Sequence, residues 1–214
     1  MRIPLKRKII DIKVQRRNSS RRTLFFDDES VFGLSEDVFI SENFKIDDVL
    51  SEEKFRLLQK SESHNKVKEA ALRLLSFRMR SVAELHDRLR KKEYLEEEIT
   101  PVLDQLIDMQ YLNDEEFAIA FCRDKIRNKR IGPVALRSEL AMHQLDQKLI
   151  SEVFTELYNE ESIRSLIKYH LHKRKVEEGT HLEQKEKTKL LSLLQRKGFS
   201  WSDISSVFDE LEIQ

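Results

Sequence analysis

Glycine and proline are scarce in this chain, with 4 Gly and 3 Pro in 214 residues. Turn-rich sandwiches and barrels need frequent chain punctuation, so both are disfavoured. Gly33, Gly132, Gly179 and Gly198 stand too far apart for a dinucleotide fingerprint or a phosphate loop, which need closely spaced glycines. Cysteine is rarer still. Cys122 stands alone, which excludes an internal disulfide and suits a reducing cytosol. Long apolar runs are also missing. The longest, Phe117–Cys122, falls far short of the ~20 residues a membrane helix needs. The basic start, residues 1–10, is not followed by an apolar signal core. A cytoplasmic protein is expected. Nor does either charge dominate: 39 Lys and Arg balance 39 Asp and Glu, which excludes a uniform polycation for nucleic acid. The 12 Phe, with many Leu and Ile, supply a core and argue against an acidic disordered tail. What remains is a charged, mainly helical chain.

Residues 8–40 read as an exception. Ile10, Ile12 and Val14 alternate with Asp11, Lys13 and Gln15. Thr23–Phe26 and Val31–Leu34 form two further β-type runs, separated by polar turns. A small antiparallel meander is expected, and it must pack on something to be stable. The Val38-Phe39-Ile40 run and the amphipathic segment Ser51–Ser61 are its candidate partners. From about residue 65 the apolar period becomes helical. Ser81 and Glu84 have the spacing of a capping box. Asn113 with three following acids marks a helix start. Gly132-Pro133 predicts a helix C-cap followed by a first-turn proline, and Gly198 with Ser200 repeats the stop-and-cap signal. Residues 177–181 read as a polar loop.

An internal repeat is the most informative feature. Leu85, Leu89, Ile99 and Leu106 form one apolar ladder. Shifts of 51 and then 54 residues give Leu136, Leu140, Ile150 and Leu157, then Leu190, Leu194, Ile204 and Leu211. Val102-Leu103, Val153-Phe154 and Val207-Phe208 obey the same shifts, and Leu95, Leu145 and Phe199 sit near the turns. Each copy holds two short helices preceded by a third, at roughly 65–79, 114–130 and 160–176. The expected fold is mainly α: an elongated, curved tandem array of three three-helix repeats, with a small N-terminal antiparallel β segment. The expected segments are a β-rich extension with its linking helix (1–62) and repeats at 63–112, 113–159 and 160–214.

Several motifs in this order resemble a known family. They are Ala70-Ala-Leu-Arg-Leu-Leu, Arg78-Met-Arg-Ser81, Glu84-Leu-His-Asp-Arg-Leu89, Tyr111-Leu-Asn-Asp-Glu-Glu-Phe-Ala118, Gly132-Pro133 with Arg137-Ser-Glu-Leu140, and Lys197-Gly-Phe199. Together they are similar to RecX, the bacterial regulators of the RecA recombinase, over residues 65–214. The chain departs from the family pattern at His143-Gln-Leu145, where a Lys-Gly turn is usual. It departs again at Gln110, Asp27-Asp28 and Asp47-Asp48, where a glycine is common. The resemblance implies a regulatory protein without catalytic residues, metal or cofactor, acting in DNA repair and homologous recombination. It implies binding to the RecA–single-stranded-DNA filament, in its helical groove. RecA's ATPase, filament assembly and strand exchange are restrained, although some members act differently. A monomer without membrane association is expected. A second reading is a helical module that binds single- or double-stranded DNA directly.

Charge segregation supplies the candidate contacts. Residues 1–26 carry a net +8 and residues 27–64 a net −7. Arg16, Arg17, Arg21 and Arg22 form either a basic arm for phosphates or acidic protein, or the solvent face of a meander that pairs with the next segment. Arg127, Lys129 and Arg130 crowd the end of a helix, where cations also favour the dipole, and Arg137 follows. Lys173 and Arg174 lie in Ile163–Val176, a stretch without acids; polyanion contact and a solvated helix face both fit. Arg78 and Arg80 either reach a partner or bond the last carbonyls of their own helix. Lys197 completes the set. Asp114 reads as a helix start, Cys122 as a core thiol and Trp201 as packing between the last helices. His170, His172 and His181 lack metal-ligand spacing.

Overall fold

The computed structural model describes residues 6–213, apart from the side chains of residues 160 and 161. The first five residues, Arg2 among them, lie outside the described residues. In chain order the elements are β1 (Lys6–Gln15), β2 (Asn18–Phe26), β3 (Val31–Ser35), α1 (Glu36–Glu42), β4 (Val49–Ser51), α2 (Glu52–Phe77), α3 (Val82–Arg90), α4 (Glu96–Asp108), α5 (Asp114–Lys129), α6 (Pro133–Ala141), α7 (Gln147–Leu157), α8 (Glu160–His172), α9 (Gln184–Arg196) and α10 (Trp201–Glu210). They divide into two compact units, Met1–Arg78 with His86–Met109 and Met79–Leu85 with Gln110–Gln214.

In the first unit the strands form one antiparallel sheet in the order β3-β2-β1-β4. Ile9, Leu24, Phe26, Leu34 and Leu50 bury one face against Val38, Phe44 and Leu58. Of the alternating set Ile10, Ile12 and Val14, Ile12 packs against that face and the other two do not. Ile10 and Val14 are each 53% exposed. A register shift between Ile9 and Asp11 breaks the alternation, which turns Ile9 inward instead. Val38-Phe39-Ile40 lies on α1, capped by Ser35. The linking segment and the helix expected from about 65 are one helix, α2. Its Glu62 is buried, accepts the Ser35 N–H at 2.8 Å and pairs with Arg21 at 2.5 Å. A buried carboxylate needs such partners, because desolvation otherwise outweighs packing.

The repeat ladder is the core of the helical part. Ten of its twelve residues are buried, with Leu157 and Leu211 partly covered. Shifts of 51 and 54 also align the turns. Glu93, Gln144 and Gly198 all have positive φ, at 68°, 52° and 89°. The next aligned set is Tyr94, Leu145 and Phe199, so Leu95 aligns instead with the caps Asp146 and Ser200 and not with the turn residues. The glycine substitutes at Gln110 and Asp47 are left-handed as well, with φ of 59° and 77°. A side chain in that region costs about 1–2 kcal/mol relative to its absence. Gln144→Gly is therefore expected to stabilise the fold by about 1 kcal/mol, read as a higher denaturation midpoint. An unchanged or lowered midpoint would show that Gln144 makes compensating contacts.

Candidate functional site

In the second unit, three helix C-termini meet. α5 ends on Arg130, which caps it in the left-handed conformation (φ 51°). α8 ends on Lys173 and α9 on Lys197. The meeting is set by main chain. The Gly132 N–H donates to the Lys197 carbonyl at 2.7 Å, and the Val134 N–H donates to the Gly198 carbonyl at 3.0 Å. A Cβ on Gly132 would stand 2.5 Å from the Gly198 oxygen. Gly132 is thus the N-cap of α6 with φ −86°, not the C-cap of α5: the residue is needed for close approach, not for positive φ.

The α8 terminus is pinned to the same place by His170. Its ring is buried, and Nε2 lies 2.7 Å from the Arg130 carbonyl. A carbonyl only accepts, so this nitrogen carries the proton. Burial holds the imidazole below its ordinary value of 6.5, and the charges of Lys197, Arg174 and Lys173 push the same way; the bond to Arg130 partly opposes them. Around this pin lies a cleft of about 390 Å³, lined by Asn128, Lys129, Arg130, Tyr169, His170, Lys173, Arg174 and Lys197. The Arg130 guanidinium sits 5.2 Å from the centre of the Tyr169 ring. Lys197 Nζ donates to the Lys129 carbonyl at 3.3 Å, and Arg174 donates to the His170 carbonyl at 3.3 Å.

Helix ends attract cations, so the charge balance decides whether these residues are more than caps. Three C-termini contribute about −1.5 charges together. Lys129 is neutralised by Glu139 at 2.9 Å. Among the described residues, Arg130, Lys173, Arg174 and Lys197 pair with no carboxylate. Four cations against about −1.5 leave roughly +2.5 charges in one cleft, more than dipole compensation requires.

The other candidates are placed differently. Arg16 and Arg17 form the exposed β1–β2 turn. Arg21 is held by Glu62 and Arg22 by Glu36 at 2.5 Å. With Arg7–Asp28, Arg7–Glu52 and Lys8–Asp47, these ion pairs join the basic segment to the acidic one. Arg78 is the exposed C-cap of α2. Arg80 is buried against Glu84. Arg127 is exposed on the last turn of α5, and Arg137 lies 4.7 Å from the Phe154 ring. Asp114 accepts the Val82 N–H at 2.8 Å, and burial raises its carboxyl. Cys122 is a core thiol pushed up to about 12 by burial. Trp201, expected in the packing, is 59% exposed at the first position of α10, because Ile204, Val207 and Phe208 fill that helix's inner face. Asn128 and Tyr169 were not foreseen as site residues. Tyr169 carries one signal, an aromatic ring inside an acid-free basic stretch. Among the described residues, no helix is long and apolar enough to cross a membrane.

These features define a tandem of small three-helix domains that presents a cation cleft. The models of the first and second three-helix domains of RecX match residues 68–106 and 113–153. Regulatory protein RecX of Bacillus subtilis is 33% identical over 208 residues, covering 96% of this chain and 78% of that protein. The Clostridium botulinum protein of the same name is 28% identical over 95% of both chains. A crystal structure of regulatory protein RecX shares the fold, with a TM-score of 0.72 at 22% identity over 95% of this chain and 99% of that one. RecX from Lactobacillus salivarius superposes with a TM-score of 0.60 at 24% identity, over 71% of this chain and 98% of that one. The chain belongs to the RecX family of regulatory proteins.

Two outcomes follow from the geometry. Gly132→Ala is expected to cost about 2 kcal/mol or more, because the clash is with the Gly198 backbone and the Phe199 ring; a urea midpoint within about 0.5 kcal/mol of wild type would refute the close approach. His170 is depressed in the fold, so its contribution is complete above pH 6.5 and is lost as pH falls below that value, where the unfolded chain binds the proton first. Wild type should therefore lose melting temperature between neutral pH and about 5, and His170→Gln should flatten that part of the profile. Parallel profiles would remove His170 as its source.

Proposed function

We propose that the chain binds the RecA–single-stranded-DNA filament and restrains its ATP hydrolysis, assembly and strand exchange. Membership of the RecX family over nearly the whole chain carries this reading. The protein acts without catalytic residues, metal or cofactor, as a monomer in the cytoplasm, and without membrane association. Its contacts are drawn from Arg16 and Arg17 of the hairpin, Arg127 and Arg137, and the cleft residues Arg130, Lys173, Arg174 and Lys197, with Lys129 shared there with Glu139. Arg21, Arg22 and Arg80 serve the fold first, since each is held by a carboxylate. The cleft also favours a second reading, a module that binds single- or double-stranded DNA directly, because its uncompensated charge needs no protein partner to attract phosphate.

Purified protein should lower RecA's DNA-dependent ATP hydrolysis and co-sediment with the filament. Charge reversal of Arg127 with Arg130, or of Lys173 with Arg174, should raise the concentration needed for half effect by about tenfold, the worth of one charge-assisted contact near 1.4 kcal/mol. Hydrolysis that stays constant, with no co-sedimentation, would end this reading. Stimulated hydrolysis would keep the partner and reverse the sign of regulation.

A further inference from the structure

The cleft between the ends of α5, α8 and α9 has a chemistry more specific than a basic surface. The geometry points to a phosphate-binding seat, in which Arg130, Lys173, Arg174 and Lys197 hold the phosphates of a nucleotide unit beside the Tyr169 ring. It rests on the reading that this face meets polyanions and adds the group that occupies it.

Three observations support the assignment. The first is convergence: cations from residues 129–130, 173–174 and 197 line a single volume of about 390 Å³. The second is the lining, which contains no carboxylate; a site for an acidic protein side chain needs one cation, whereas about +2.5 charges match two or three phosphodiesters or one diphosphate. The third is the wall. Tyr169 is 45% exposed and bears the Arg130 guanidinium near its ring, a planar platform of the kind on which an unstacked base rests. The seat is preformed, because its main chain is tied by the Gly132–Lys197 bond and the His170–Arg130 bond, so little ordering is lost on binding.

Two sources can supply such phosphates: the backbone of a single strand and a free nucleotide. Both are tested without RecA, on the full chain, with labelled oligothymidylate in fluorescence anisotropy and with ADP as competitor. Oligothymidylate should bind, with a salt slope of about −1.5 to −2, as two or three single-strand phosphates require. Arg130→Gln combined with Lys173→Glu should weaken binding by about tenfold or more and reduce the slope by about 1.4. Lys91→Glu with Lys92→Glu, exposed and outside the cleft, changes the net charge by a similar amount and should change affinity little. His170 supplies an independent readout. An anion in the seat should raise its proton-titration midpoint in NMR. Displacement by ADP assigns the seat to nucleotides, and its absence assigns it to a strand backbone; either supports the seat. Equal weakening by the two double variants, or a His170 midpoint that stays fixed in the presence of ligand, overturns it. Binding here with no effect on RecA would leave the seat standing and remove the filament reading; the reverse result would do the opposite.

Discussion

Two glycine backbones in contact set the register of the second unit. A Cβ on Gly132 would meet the Gly198 backbone and one on Gly198 would meet Ala135, so neither position accepts one, and two main-chain hydrogen bonds run across the junction. Everything in the cleft inherits its position from that junction. Arg130 lies two residues before Gly132 and Lys197 one residue before Gly198, so the glycines carry both cations to the same point. His170 then fixes the third helix end by donating to the carbonyl of Arg130 itself. A charge cluster held by main chain differs from one held by long side chains. The repulsion among its cations is borne by the fold, and the imidazole of His170 is held low chiefly by burial, with the charges of Lys197, Arg174 and Lys173 adding to it.

The zero net charge hides two opposite uses of the same residues. In the first unit the basic and acidic segments neutralise each other through ion pairs that cross between them, and one of these is sealed by a buried carboxylate. Exposed pairs of this kind contribute little stability individually. They do reduce the field of the basic segment, while Arg16 and Arg17 stay exposed at the hairpin turn. In the cleft the reverse holds. Among the described residues only Lys129 finds an acid there, and the remaining cations face helix ends whose partial charges are too small to cancel them. Two stretches that look equally basic in sequence therefore differ in what they offer a partner.

The ladder was legible because a helical repeat writes its core into spacing, and the three β-type runs were legible because their turns are polar. Other features were hidden for identifiable reasons. The 3-residue strand β4 carries too few residues to show a period. Ile10, Ile12 and Val14 alternate as a core face should, but the register shift after Ile9 puts Ile9 and Ile12 on the core and leaves Ile10 and Val14 exposed. α2 runs unbroken through Ser61 and Ser63 because Leu58, Glu62 and Val67 keep one side buried. The cleft was legible only as separate basic stretches. Its convergence depends on contacts between residues as much as 68 apart, which no local pattern encodes, and its aromatic member gave only a faint signal.

The scarcity of glycine itself acquires a reason at the repeat turns. All three turns demand a left-handed residue, yet only the third has glycine; the first two place Glu93 and Gln144 there. Conformation alone sets a moderate penalty for a side chain at such a site, and a stable helical core can absorb it. At Gly198 a second demand is added, because a Cβ would stand 2.3 Å from the Ala135 nitrogen. Backbone atoms at that distance cannot move aside without breaking the bonds to Gly132 and Val134. A departure from glycine is thus tolerated where φ is the only constraint, and excluded where φ and close approach coincide. That coincidence occurs at the junction on which the cation cleft is built.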